Sequence, residues 1–222
     1  MTQKEIAKQF AFLIRKHQVD YTQFKNIVKM VRKQAGLKPP RGAKGTVDRM
    51  SNEERDRFIT EAYRRDPKQG LMMQTLYETA ARLEEFCNLT VEDLYTSQEL
   101  IIIRQGKGDK RREVPVDPGL VRSLLIHLDG RSSGPLFLNI RHKAFAPRTI
   151  QAMVKDIAAD AGIKTKIYPH LLRHTRATDL AEAGMKVELI SKILGHSKIE
   201  TTQIYTRTAQ LDVKEGLRNL KI

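Results

Sequence analysis

Four side chains near the end of the sequence have the types and spacing of a reactive group: His170, Arg173, His196 and Tyr205. His170 and Arg173 stand three residues apart, so one helix face presents both. His196 follows Leu194-Gly195, where a glycine turn at a helix end can aim an imidazole, and Tyr205 comes nine residues later. Imidazoles carry protons near neutral pH. A guanidinium fork grips anions, and a phenol turns nucleophilic where nearby cations favour phenolate. Taken singly, each residue has an ordinary reading. A helical His is usually a satisfied surface or core residue, Arg173 a solvated charge, and Tyr205 a half-buried amphipathic ring. His170 and His174 have the spacing of zinc ligands. However, residue 171 is Leu, so the metalloprotease pattern fails, and Cys87 is isolated.

Together the pieces resemble the tyrosine recombinase (phage integrase) family, whose late motifs are His-x-x-Arg, Leu-Gly-His and a Tyr shortly beyond. The chain has His170-Leu-Leu-Arg173, Leu194-Gly-His196 and Thr201-Thr-Gln-Ile-Tyr205 in that order. The resemblance extends to earlier segments. Arg82-Leu-Glu-Glu85, Leu89-Thr90 and Asp93 match one, and Gly106-Lys107-Gly108 with Arg111 or Arg112 and Val114-Pro115-Val116 match the other. It covers about Met50 to Thr208. One departure is local: the family usually has Thr-Gly-x-Arg, and here the segment is Thr79-Ala-Ala-Arg82. Ala is the better helix former, so the helix is expected to begin earlier.

The resemblance implies a DNA strand-transfer enzyme that needs no metal and no cofactor. Arg82 and Arg173 would offset charge on the nonbridging phosphate oxygens. Tyr205 would be the nucleophile, with His170 the general base or proton shuttle and His196 a phosphate donor. Lys107 would protonate the 5′-hydroxyl leaving group. Glu85 and Asp93 read as braces for basic partners. The implied partner is double-stranded DNA, engaged by a homotetramer on paired sites, with accessory DNA-bending proteins as further partners. A catalytically idle DNA-binding relative and a type IB topoisomerase-like enzyme are the competing readings. The full set of reactive residues counts against the first; the short chain and the Leu-Gly-His motif count against the second.

These residues need a scaffold, and the pattern predicts one that is mainly α with a small antiparallel β-sheet (α+β). It is a tyrosine-recombinase-like catalytic domain at 48–222, preceded by a short basic helical segment at 1–38 and a linker at 39–47. Thr2 and Glu5 form a capping box for a helix over 2–16. Tyr21, Phe24, Ile27, Val28 and Val31 stripe a second helix over 21–35. Pro39, Pro40, Gly42 and Gly45 break the chain. Helices are predicted at about 51–64, 68–89, 148–161, 170–183 and 187–194, with short ones at 200–207 and 210–219. One more starts at Asp117-Pro118. Leu100–Arg104 and Arg112–Val116 form a hairpin around Gly106–Lys110, with Leu136–Leu138 as a short third strand.

The charge pattern bears on the partner. The 222 residues carry a formal net charge of +14, which implies a polyanion. Residues 1–50 hold twelve Lys or Arg against three acidic residues, a net of +9, whereas 51–100 are net −5. Lys25, Lys29, Arg32 and Lys33 on the second helix, with Arg41 and Lys44 in the linker, are the candidate DNA contacts. A solvated helix face is the plain alternative for them. One cysteine permits no internal disulfide, which fits a reducing compartment. No apolar run reaches the ~18 residues of a membrane span and the start lacks a signal-peptide core, so the expected location is cytoplasmic.

Overall fold

In the computed structural model, residues 2–36, 48–104, 111–195 and 202 are described. The chain divides into two units, Met1–Gly45 and Thr46–Ile222. In the first, α1 spans Gln3–Lys16 and α2 spans Tyr21–Gln34. Each opens on a capping box, Thr2 with Glu5 and Asp20 with Gln23. No residue of α2 is buried, and Phe12 is 62% exposed. The helices therefore owe their form to caps and periodicity rather than to a core of their own.

The second unit is built around α4. Helix α3 (Asn52–Arg65) is capped by Ser51 and packs along α4 (Pro67–Thr79), which also meets α6 (Pro118–Leu128) and α8 (Pro169–Glu182). Nine residues of α4 are buried, including Thr75 and Thr79. Their hydroxyls donate back to the carbonyls of Leu71 and Thr75, which removes the cost of burying them. Phe58, Met72, Leu76, Ile101, Leu120 and Leu172 lie in one core. Helix α7 (Pro147–Asp160) packs on α3, α5 (Leu83–Cys87) and α8; α9 (Val187–Leu194) packs on α8 and the sheet.

The sheet has three antiparallel strands in the order β1 (Leu94–Tyr95), β2 (Leu100–Arg104), β3 (Arg111–Pro115). The expected hairpin is present, in the register Leu100↔Pro115 to Arg104↔Arg111; its tip, 105–110, lies outside the described residues. The third strand differs from expectation. It is Leu94–Tyr95, whereas Leu136–Leu138 form no strand. That segment is tied by a Thr90–Pro135 bridge, by the Leu136 N–H on the Leu89 carbonyl and by Lys68 on the Leu138 carbonyl, and Phe137 stacks on Phe86. Arg131 donates to the Pro135 and Leu136 carbonyls, which takes acceptors a strand would use.

A second difference matters more for the site. The helix expected over 68–89 is two helices, α4 and α5, and it does not begin earlier at the alanines. Ala80 adopts φ +46° and ends α4, while Arg82 is extended and caps α5. An alanine in the left-handed region costs about 1–2 kcal/mol. Packing overrides local preference here: Ala80 and Ala81 are both buried, and the Ala80 carbonyl is taken by a buried arginine. Among the described residues, no helix is long and apolar enough to cross a membrane. The helices expected at 200–207 and 210–219 lie almost wholly outside the described residues, Thr202 excepted.

The α3–α4 contact is close at Gly70, where an added Cβ would overlap the Tyr63 ring and come within 2.7 Å of the Tyr63 Cα. The Tyr63 hydroxyl is pinned on Gln74 at 2.6 Å. Gly70→Ala gains at most about 1 kcal/mol of helix propensity and overpacks this contact at about 1–3 kcal/mol. The variant should unfold at lower urea concentration than the wild type, and an equal or higher midpoint would show that the two helices separate freely.

Candidate active site

Helix α8 sets the geometry. Its position is fixed from three directions. The Met50 N–H donates to the Thr175 hydroxyl at 3.0 Å, Arg55 pairs with Asp179 at 2.9 Å, and the Tyr77 hydroxyl donates to the same carboxylate. Burial, and then the bond to Asp179, push the Tyr77 phenol up to about 12, so it stays a neutral donor. The first turn and a half of α8 thereby holds His170 exposed at its start and Arg173 buried one turn in.

Arg173 is only 1% exposed. Its Nη1 donates to the Ala80 carbonyl at 2.6 Å and its Nη2 to the Leu194 carbonyl at 2.5 Å. The first bond uses the left-handed turn that breaks α4 from α5. The second caps the end of α9, where Gly195 takes φ +64° and stops the helix. Helix-terminal carbonyls lack partners within the helix, and a cation there also meets the negative end of the helix dipole.

A second arginine completes this grip. Arg112 lies inward on β3, and its Nε donates to the Ile193 carbonyl at 2.7 Å. Its two Nη groups hold Glu85 in a fork, at 3.1 and 2.6 Å. Glu85 also accepts from the backbone N–H and the Nη1 of Arg82, both at 2.8 Å. Burial alone would raise the Glu85 carboxyl, but the Arg112 and Arg82 hydrogen bonds prevail and bring it to about 2. Arg82, the cap of α5, is thereby oriented while its side chain remains 45% exposed.

His170 is near both arginines. Burial lowers its pKa first, and the charges of Arg173 and then Arg82 lower it further, so the ring is neutral at physiological pH. His174 packs edge-on against it, centroids 4.3 Å apart, and is lowered to about 4 by burial, His170 and Arg173. Three residues expected to act together, Arg82, His170 and Arg173, therefore do sit together. Lys107, His196 and Tyr205 lie outside the described residues. So do Arg41 and Lys44, whereas Lys25, Lys29, Arg32 and Lys33 are exposed on α2, with the Lys25 ammonium 4.6 Å from the Tyr21 ring centroid. Among the described residues, no group of three or more His, Cys, Asp or Glu could hold a metal ion. The Cys87 thiol is half-buried at the end of α5 and raised to about 11 by burial and then Glu84.

Comparison with known proteins decides the family. Residues 48–211 match the Phage integrase family. The chain belongs to that family. A tyrosine recombinase XerA of Pyrococcus furiosus is 33% identical over 183 residues, covering 80% of this chain and 63% of the relative. A tyrosine recombinase XerD of Mycobacterium tuberculosis is 36% identical over 144 residues, 61% of this chain and 46% of the relative. The chain thus spans less than two thirds of the length of either. A crystal structure of a XerA recombinase superposes with a TM-score of 0.69 at 32% identity, covering 98% of this chain and 83% of that one. The mainly helical fold with its small antiparallel sheet is that of the phage integrase family's catalytic domains.

Sequence reasoning left open which of Arg111 and Arg112 matters. Strand alternation places Arg112 on the face of Val114, and that parity was the available signal. Glu85 joins α5 to β3 through one carboxylate, so its loss should be felt in stability. Its folded pKa lies below its ordinary value of 4.5. It therefore stabilises the fold above about pH 4.5, and this contribution disappears as pH falls towards 2. Glu85→Gln should lower the unfolding free energy by about 3 kcal/mol at pH 7. The difference from wild type should shrink to near zero at about pH 2. A difference that is constant with pH would show that the charge of Glu85 is not what holds the arginines.

Proposed function

We propose that the chain is a site-specific recombinase that cleaves and rejoins duplex DNA through a covalent bond to Tyr205. The observation that carries this reading is the placement of Arg82 and Arg173 beside His170, in a chain whose family match includes residue 205. Two guanidiniums from different elements make a fixed positive field, which suits a phosphodiester gaining charge in its transition state. A neutral imidazole beside them can accept the phenol proton.

In the step we assign, the Tyr205 oxygen attacks phosphorus and His170 takes the phenol proton. The bond to the 5′-oxygen breaks, and Lys107 supplies the proton that makes it a 5′-hydroxyl. His196 donates to a nonbridging oxygen. The strand is left as a 3′-phosphotyrosine ester, which keeps the bond energy so that a hydroxyl can reseal it without ATP. We assign the basic stretch 1–38 and the linker 39–47 to the DNA, through Lys25, Lys29, Arg32, Lys33, Arg41 and Lys44, and residues 48–222 to catalysis. The working form is a cytoplasmic homotetramer on paired sites, with accessory DNA-bending proteins.

The test is a suicide duplex, nicked near the scissile position so that the cut fragment diffuses away. The wild type should accumulate a denaturant-stable protein–DNA adduct, and Tyr205→Phe should accumulate none while binding DNA equally well. An adduct retained by Tyr205→Phe would place the nucleophile elsewhere.

A further inference from the structure

Next to Arg82 and His170 a cleft of about 680 Å3 opens between α7, residues 161–168 and the start of α8. Its floor is apolar, including Ala158, Ile163 and Ile167, and Lys155, Lys164 and Lys166 also line it. Among the described residues, no acidic one does. Two nearby carboxylates are turned to other work: Asp160 on α7 pairs with Arg65 at 2.9 Å, and Glu54 accepts from the Thr165 hydroxyl at 2.7 Å while its other oxygen takes the Ser51 N–H. The three lysines are exposed. Like charges gathered round one apolar floor repel each other unless an anion joins them.

We propose that this cleft holds the DNA backbone beside the phosphate at Arg82, His170 and Arg173, with Lys155, Lys164 and Lys166 as ligands of the flanking phosphates and the apolar floor against the sugars. This rests on the reading of the chain as a DNA-cleaving enzyme. The cleft has the size of ordinary ligand sites, about 300–1,000 Å3. A lysine is a compact charge on a flexible stem, suited to following a backbone, whereas bidentate recognition favours arginine. Phosphate contacts fix register and carry no base information, so these residues should act alike on all sequences.

The experiment is the salt dependence of duplex binding by the full chain, read by fluorescence anisotropy on two unrelated sequences. Each lost phosphate contact reduces the slope of log K against log salt by about 0.9. A triple variant, Lys155→Gln with Lys164→Gln and Lys166→Gln, should lose about 2–3 from that slope on both sequences. Arg122→Gln, an exposed charge on α6 outside the cleft, should leave it unchanged. An unchanged slope in the triple variant, as expected if the cleft serves a protein segment instead, overturns the proposal. So does an equal fall per charge in Arg122→Gln, which would reduce the effect to net charge. The two readings fail separately. A wild type that forms no adduct while the lysines still set the slope defeats the cleavage reading alone; normal adduct with an unchanged slope defeats the cleft alone.

Discussion

Two buried guanidiniums grip the end of one short helix, and the site depends on that grip. The last carbonyls of α9, Ile193 and Leu194, accept from Arg112 on β3 and Arg173 on α8. A buried charge is tolerated only when its hydrogen bonds are supplied, so these contacts dictate where sheet, α8 and α9 can lie. Glu85 then passes the constraint on to Arg82. The same bonds that hold the fold place cationic side chains from β3, α5 and α8 around one point.

The turn at Ala80 shows what this order demands. A helix continuing from α4 into α5 would leave the Ala80 carbonyl inside the helix, where Arg173 could not take it. The chain accepts a left-handed alanine instead, and the bond from Arg173 and the burial of Ala80 against Ala177, Leu180, Ile190 and Leu194 offset the local strain. Local propensity loses to tertiary packing beside the candidate site, the kind of place where such conflicts are expected.

Much of this was legible in the residues. Capping boxes, proline starts and glycine stops mark α1, α2, α3, α7 and α9 almost to the residue, and the start of α6, because each signal has a local mechanism. The late motifs identify His170 and Arg173 because their spacing is helical. The break at Ala80 was not legible, since its cause is a carbonyl used by a residue 93 positions away. Nor was Leu94–Tyr95 as the third strand, since two residues hold too little periodicity to register. The cleft lysines were half visible: Lys164-Thr-Lys166 is a basic run, but Lys155 joins it only once α7 is folded against the loop.

The central claim is that Arg82 and Arg173 act on one phosphate as a unit, and a double-mutant cycle tests it most directly. Single-turnover cleavage of a suicide duplex would be measured for Arg82→Lys, Arg173→Lys and the double variant, with thermal melting to confirm that each is folded. Each single change should slow adduct formation by about 100-fold or more, and the double should be little slower than the worse single. Losses that multiply as if independent, or an Arg173→Lys variant that cleaves at the wild-type rate, would contradict the account.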